Sequence, residues 1–195
     1  MQYPDLILSL PDWVKKIIHE RNCVCRTVEE RMYLAVKLAR LNIEHGTGGP
    51  FGACVFEQES GKLIAPGVNI VITSRCSIAH AEIVAIGIAQ QLLSDYDLSN
   101  EAMPSCELVT STEPCAMCLG AIPWSGIRRL VCGARDEDAR SIGFDEGAKP
   151  ADWVRSLESR GITVLRNVLR KEAKAVLVQY KQSGGFIYNA HRAKP

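Results

Sequence analysis

Four side chains on two short segments carry the most chemistry in this chain: His80 and Glu82 in His80-Ala81-Glu82, then Cys115 and Cys118 in Pro114-Cys115-Ala116-Met117-Cys118. An imidazole and two thiolates give tetrahedral Zn²⁺ three protein positions and leave the fourth for water, which is the pattern of a catalytic site. Glu82, two residues past the histidine, is close enough to take a proton from that water and return it to a leaving group without ligating the metal. Each part alone has a plainer meaning. A lone His beside an apolar helix packs in a core, and a C-x-x-C pair can be a redox couple or half of a structural zinc site. A redox pair needs no upstream H-x-E, and a structural site needs a fourth ligand at comparable spacing, which the sequence does not obviously offer. The complete pattern reads as one catalytic zinc per chain.

The elements that must position these groups follow from local patterning. Residues 12–21 read as a leading helix, and Thr27-x-x-Glu30 as the capping box of a longer one. Val28, Met32, Ala35, Val36, Ala39 and Ile43 recur at helical spacing along it, and Gly46, Gly48 and Gly49 stop it. Residues 51–56 and 63–73 read as strands around a Gly61 turn, and 80–93 as a helix. Residues 106–111 form a strand leading into Pro114 and a helix from Cys115, so both ligand sets fall at helix N-termini. There, backbone N–H groups and the helix dipole favour thiolates. Strands at 129–132 and 162–165 flank a helix near 152–159, and 171–181 is the last helix. The alternation predicts a three-layer α/β/α fold on one central mixed sheet.

A length of 195 residues suits a single domain over 1–195, with an N-terminal helical extension to about 45 and a tail from about 183. Lys and Arg total 23 against 22 Asp and Glu, a net charge of +1 that gives no overall basic footprint for nucleic acid and favours a small substrate. Pro4, Asp5, Pro11 and Asp12 stand where a signal peptide would have a basic start and an apolar run, and no stretch is long enough to span a membrane. The expectation is a cytoplasmic protein. Of its eight cysteines, Cys23, Cys25, Cys54, Cys76, Cys106 and Cys132 lie mostly in apolar segments and read as reduced core or near-core residues.

The ordered motifs from Gly49 to about Gly147 resemble the cytidine and deoxycytidylate deaminase superfamily. Gly49-Pro50-Phe51-Gly52-Ala53, Asn69, His80-Ala81-Glu82-Ile83 and Glu113-Pro114-Cys115-Ala116-Met117-Cys118-Leu119-Gly120-Ala121-Ile122 are similar to the branch holding bacterial guanine deaminases and tRNA adenosine deaminases. Ala139-Arg140-Ser141-Ile142-Gly143-Phe144-Asp145-Glu146 and Trp124 resemble the former. The Lys-Thr-Gly-Ala-like segment that follows Gly-Ala-Arg-Asp in the tRNA enzymes is missing after Gly133-Ala134-Arg135-Asp136.

The resemblance implies a cytidine-deaminase-like fold, a homodimer, a nucleobase substrate and hydrolysis of guanine to xanthine and ammonia, with Glu82 moving the proton. Guanine presents N1–H and N2–H₂ donors along one edge, which calls for an ionised carboxylate. Asp145 and Glu146 offer one, and the longer Glu146 can also shuttle a proton, helping ammonia leave. Asn69 can bind a purine carbonyl or N7, Phe51 and Trp124 can stack on the base, and Ala81 can offer its backbone N–H. The tail, Gly184-Gly185-Phe186-Ile187-Tyr188-Asn189-Ala190-His191-Arg192, either packs on its own subunit or closes a partner's site, which makes Tyr188 and His191 pocket candidates. The rival readings are a tRNA adenosine deaminase, a cytosine or deoxycytidylate deaminase, and a non-catalytic zinc module.

Overall fold

Five strands, β1 (Gly52–Glu57), β2 (Leu63–Val68), β3 (Cys106–Thr112), β4 (Arg129–Ala134) and β5 (Thr163–Leu165), form one mixed sheet in the order β2-β1-β3-β4-β5. The computed structural model describes residues 3–19, 23–100 and 103–189. β1 runs antiparallel to both β2 and β3, while β3, β4 and β5 are parallel. The helices are α1 (Asp12–His19), α2 (Val28–Glu44), α3 (Val71–Ser74), α4 (Ala81–Leu93), α5 (Ala116–Ser125), α6 (Asp136–Ile142), α7 (Trp153–Glu158) and α8 (Arg170–Gln182).

Side-chain alternation along the strands divides the core into two layers. In β1, Cys54 and Phe56 join Met32, Leu38, Ala39, Val109, Val131 and Leu177 on the α2 and α8 side. Ala53 and Val55 join Ala85, Ala89, Leu108, Ile122, Leu130 and Leu157 on the α4, α5 and α7 side. Burying a Val, Leu, Ile, Phe or Met among these fully contributes about 1.5–3 kcal/mol, so both faces of the sheet hold their helices firmly. The three-layer mixed α/β/α fold expected from the sequence is the one observed.

Thr27 caps α2 as its sequence predicts: its Oγ1 accepts from Glu30 N (3.1 Å) and Glu30 Oε2 accepts from Thr27 N (3.1 Å). Two corrections concern the middle of the chain. The strand expected over 63–73 ends at Val68, because Asn69 Oδ1 accepts from Val71 N (3.3 Å) and turns the chain into α3. Residues 136–142, which carried no helix expectation, form α6. The leading helix reaches His19, and the rest of its expected span, 20–21, lies outside the described residues. Cys54, Cys106 and Cys132 are buried and Cys23, Cys25 and Cys76 half-buried, as expected of core and near-core thiols.

Gly67 sets how closely α4 approaches the sheet. A Cβ there would stand 2.2 Å from Ala81 O and 2.7 Å from Ala85 N, so β2 and the N-terminal turn of α4 meet backbone to backbone. Gly67→Ala must therefore push away the turn that carries His80 and Glu82. The expected result is a loss of about 1–3 kcal/mol in urea denaturation and a fall in turnover of about 10²-fold, the scale for misplacing a reacting group by about 1 Å. Wild-type kinetics in this variant would show that α4 can shift without disturbing the site.

Candidate active site

His80 is the N-cap of α4 and Cys115 the N-cap of α5, both in extended conformation, and Cys118 lies one turn into α5. The two helix starts face each other. Cys115 Sγ lies 3.4 Å and Cys118 Sγ 3.6 Å from His80 Nδ1, and the three donor atoms fall within 4.8 Å of one another. Tetrahedral bonds of about 2.0–2.1 Å to nitrogen and about 2.3 Å to sulfur require an N···S edge of about 3.6 Å, so this donor set fits zinc as it stands. Hydrogen bonding from Cys118, and then from His80, outweighs burial and lowers the Cys115 thiol to about 4, giving a thiolate ready to ligate.

Two buried carboxyl groups share the cavity with these ligands. Glu82, in the first turn of α4, is only 6% exposed, and burial followed by the charge of Cys115 raises its carboxyl to about 7. Glu146 is equally buried, and burial followed by the charges of Cys115 and Glu82 raises it to about 8. Both groups can therefore hold and release a proton near neutrality. The Glu146 loop is tied to the zinc donors through its backbone, where Ala116 N donates to Glu146 O (2.9 Å). Asp145 is at the cavity rim with a side chain 64% exposed, its Oδ1 accepting from Gly147 N (2.9 Å) and lying 3.9 Å from Arg140 Nη1. Geometry thus separates the acidic pair, with Glu146 turned inward and Asp145 engaged by its own loop.

The cavity has a volume of about 670 Å³, a size suited to a small molecule. Phe51, Asn69, His80, Glu82, Cys115, Asp145, Glu146 and Tyr188 all line it. Phe51 meets Phe144 edge to face at 4.9 Å, and Phe144 meets Tyr188 at 5.6 Å, so three rings form one apolar wall. Asn69 is fully buried and donates from Nδ2 to Tyr188 Oη at 2.5 Å. Ala81, buried as the first residue of α4, has a backbone N–H that the helix's own ladder does not use.

Trp124 is not in the cavity. It is 86% exposed on the outer side of α5, whose inward positions are Cys118, Ile122 and Ser125; helical rotation turns residue 124 away from them. His191 lies outside the described residues. Within the chain, Asn189 Oδ1 accepts from Asp145 N (3.0 Å), and its Nδ2 donates to Gly143 O (2.9 Å). Neither this clamp nor the Phe144 ring was among the site features expected from the sequence. Phe144 could have been found from its place in the Gly-Phe-acid-acid run; nothing local marks Asn189.

Residues 26–134 match the family model for the cytidine and deoxycytidylate deaminase zinc-binding region. The chain belongs to this family, and its fold and donor set are those of a zinc-dependent aminohydrolase. Among its relatives, the guanine deaminase of Bacillus subtilis is 44% identical over 112 residues, 57% of this chain and 67% of that protein. A solved structure of the guanine deaminase from Nitrosomonas europaea is 47% identical, with a TM-score of 0.88 over 93% of this chain and 99% of that one. The tRNA-specific adenosine deaminase of Buchnera aphidicola is 33% identical over 155 residues, 80% of this chain and 94% of that protein.

Proposed function

We propose that this chain hydrolyses guanine to xanthine and ammonia. The observation that carries the reading is Glu146: a second carboxyl, buried in the same cavity as the zinc donors and Asn69, is suited to the N1–H and N2–H₂ edge that distinguishes guanine from adenine and cytosine. The likeness to two guanine deaminases supports it. A near-neutral net charge supports a free base over tRNA adenosine, and a cavity of small-molecule size supports it further.

His80, Cys115 and Cys118 would hold zinc, which would supply Lewis-acid activation of water. Asn69 binds the purine carbonyl or N7, while Phe51 and Tyr188 enclose the ring and exclude water. Ala81 offers its backbone N–H to the base. Glu82 takes a proton from the attacking water and gives it to a ring nitrogen as the new C–O bond forms at the amino-bearing carbon. Glu146 gathers the donor edge and moves the second proton to the amino group, so that the C–N bond breaks with ammonia as the leaving group.

We read the chain as one cytoplasmic deaminase domain acting as a homodimer. Thiolate zinc ligands and reduced core thiols suit a reducing compartment, and Trp124 with Met117 gives α5 an apolar outer face that a second copy could cover. Among the described residues, no helix is long and apolar enough to cross a membrane.

Ammonia release over a panel of guanine, adenine, cytosine and tRNA tests the substrate. Glu146→Gln, whose amide presents donors to donors, is expected to lower guanine turnover by about 10²-fold or more with zinc and folding intact. Asp145→Asn should stay within about threefold, since the exposed carboxylate it removes contributes little. Unchanged kinetics in Glu146→Gln, or faster turnover of cytosine or tRNA adenosine than of guanine, would leave only the deaminase class standing.

A further inference from the structure

Asn42 is a fully buried amide on α2, outside the cavity, and it holds both polar ends of one wall of the site. Its Nδ2 donates to Gly49 O and to Asn69 O, each at 2.8 Å. Gly49 O also accepts from Phe51 N (2.8 Å), and Asn69 N donates to Phe51 O (3.1 Å). One amide thus pins the loop that presents Phe51 and the turn that presents Asn69. The two segments touch closely: a Cβ on Gly48 would stand 1.8 Å from Asn69 O, leaving only glycine room there.

The oxygen end of that amide is anchored from further away. Asn42 Oδ1 accepts from Thr47 Oγ1 (2.6 Å), and Thr47 Oγ1 accepts from Trp13 Nε1 (3.1 Å). The two carbonyls can only accept, so the NH₂ group of Asn42 faces them and its Oδ1 faces Thr47, whose hydroxyl donates to it while accepting from the indole N–H. Trp13 is itself held by stacking on His45, with ring centroids 4.9 Å apart and planes inclined by 11°. Trp13 lies on α1, before residue 26 where the family match begins.

From this geometry we infer that Trp13, Thr47 and Asn42 are positioning residues for substrate recognition, a chain of hydrogen bonds by which the N-terminal helix orients Asn69 and Phe51. The inference rests on Asn69 contacting the purine. Its physical content is directional. Loss of the Thr47 hydroxyl, or of the indole N–H that orients it, leaves Asn42 Oδ1 without its partner, which loosens the amide and with it the place of the Asn69 carbonyl.

The test is a double-mutant cycle read as kcat/KM for guanine, with zinc content measured alongside. Asn69→Ala alone should lower kcat/KM by about tenfold or more, and Asn42→Ala alone by about tenfold, with zinc unchanged. Because Asn42 acts in part through Asn69, adding Asn42→Ala to Asn69→Ala should cost clearly less than the product of the two single losses, the remainder being the Phe51 loop that Asn42 also holds, whereas a merely structural role would multiply the two losses. Thr47→Val and Trp13→Phe delete single polar groups while keeping shape, and so carry the test if Asn42→Ala does not fold. Each should lower kcat/KM by about three- to tenfold, and Thr47→Ser should restore it. Multiplicative losses, or wild-type kinetics in Thr47→Val and Trp13→Phe, would overturn the inference while leaving Asn69 in its role. A neutral Asn69→Ala would instead remove Asn69 from substrate contact, and the inference with it.

Discussion

Glu82→Gln is expected to retain its zinc and lose turnover by about 10²–10⁴-fold, the range for an acid–base group removed from a transition state. The amide keeps the shape of the side chain in a site where only 6% of the residue is exposed, so packing around α4 should survive. What disappears is a proton acceptor. Burial and the Cys115 charge raise the Glu82 carboxyl to about 7, close to the pH at which a group both takes and gives protons well. Gln can do neither. The measurement is steady-state ammonia release from guanine beside elemental analysis of the same preparation. Zinc near one equivalent with turnover lost supports the proton-carrier role; zinc lost together with turnover would make Glu82 a ligand or an essential support for one.

Much of this site is legible because its residues obey short-range rules. A helix N-cap has a characteristic position relative to a strand, a turn and an apolar run, and both His80 and Cys115 occupy such positions. The Thr27 capping box is legible for the same reason. What the sequence conceals depends on direction or on long-range contact. Trp124 sits in an apolar helix where local composition does not say which side meets the core, and it faces outward. Asn42 interrupts the apolar stripe of α2 three residues after Ala39, a buried polar position that signals a specific partner, although the partners lie in loops that only the fold brings near. Asn189 reaches Gly143 and Asp145 across more than forty positions, beyond any periodicity. The end of β2 turns on one side-chain hydrogen bond from Val71 N to Asn69, which overrides the β-branched run that follows.

Removing zinc should abolish activity without unfolding the chain. The ligands are cap residues of two helices whose inward faces, Val84, Ala85 and Ala89 on α4 and Ile122 on α5, are already buried against the sheet. The metal therefore joins two preformed helix starts, unlike a zinc finger, whose folding energy comes from the ion. Chelation under reducing conditions should leave the far-ultraviolet circular dichroism unchanged and bring guanine turnover to background, with recovery when zinc is restored. A ligand that binds only the folded state stabilises it by about 2.7 kcal/mol at a hundredfold excess over its Kd, so the metal-free protein should melt about 5–10 °C lower at that zinc concentration. Cys115→Ala should reproduce the metal-free protein permanently, because it deletes the thiolate at the N-terminus of α5 and leaves only two ligands. Its zinc content should fall from about one equivalent towards zero, with no rescue by added zinc at the concentration that restores the chelated wild type. Unfolding on chelation would show that the ion holds α4 and α5 together, and activity surviving in zinc-free protein would take the metal out of the reaction altogether.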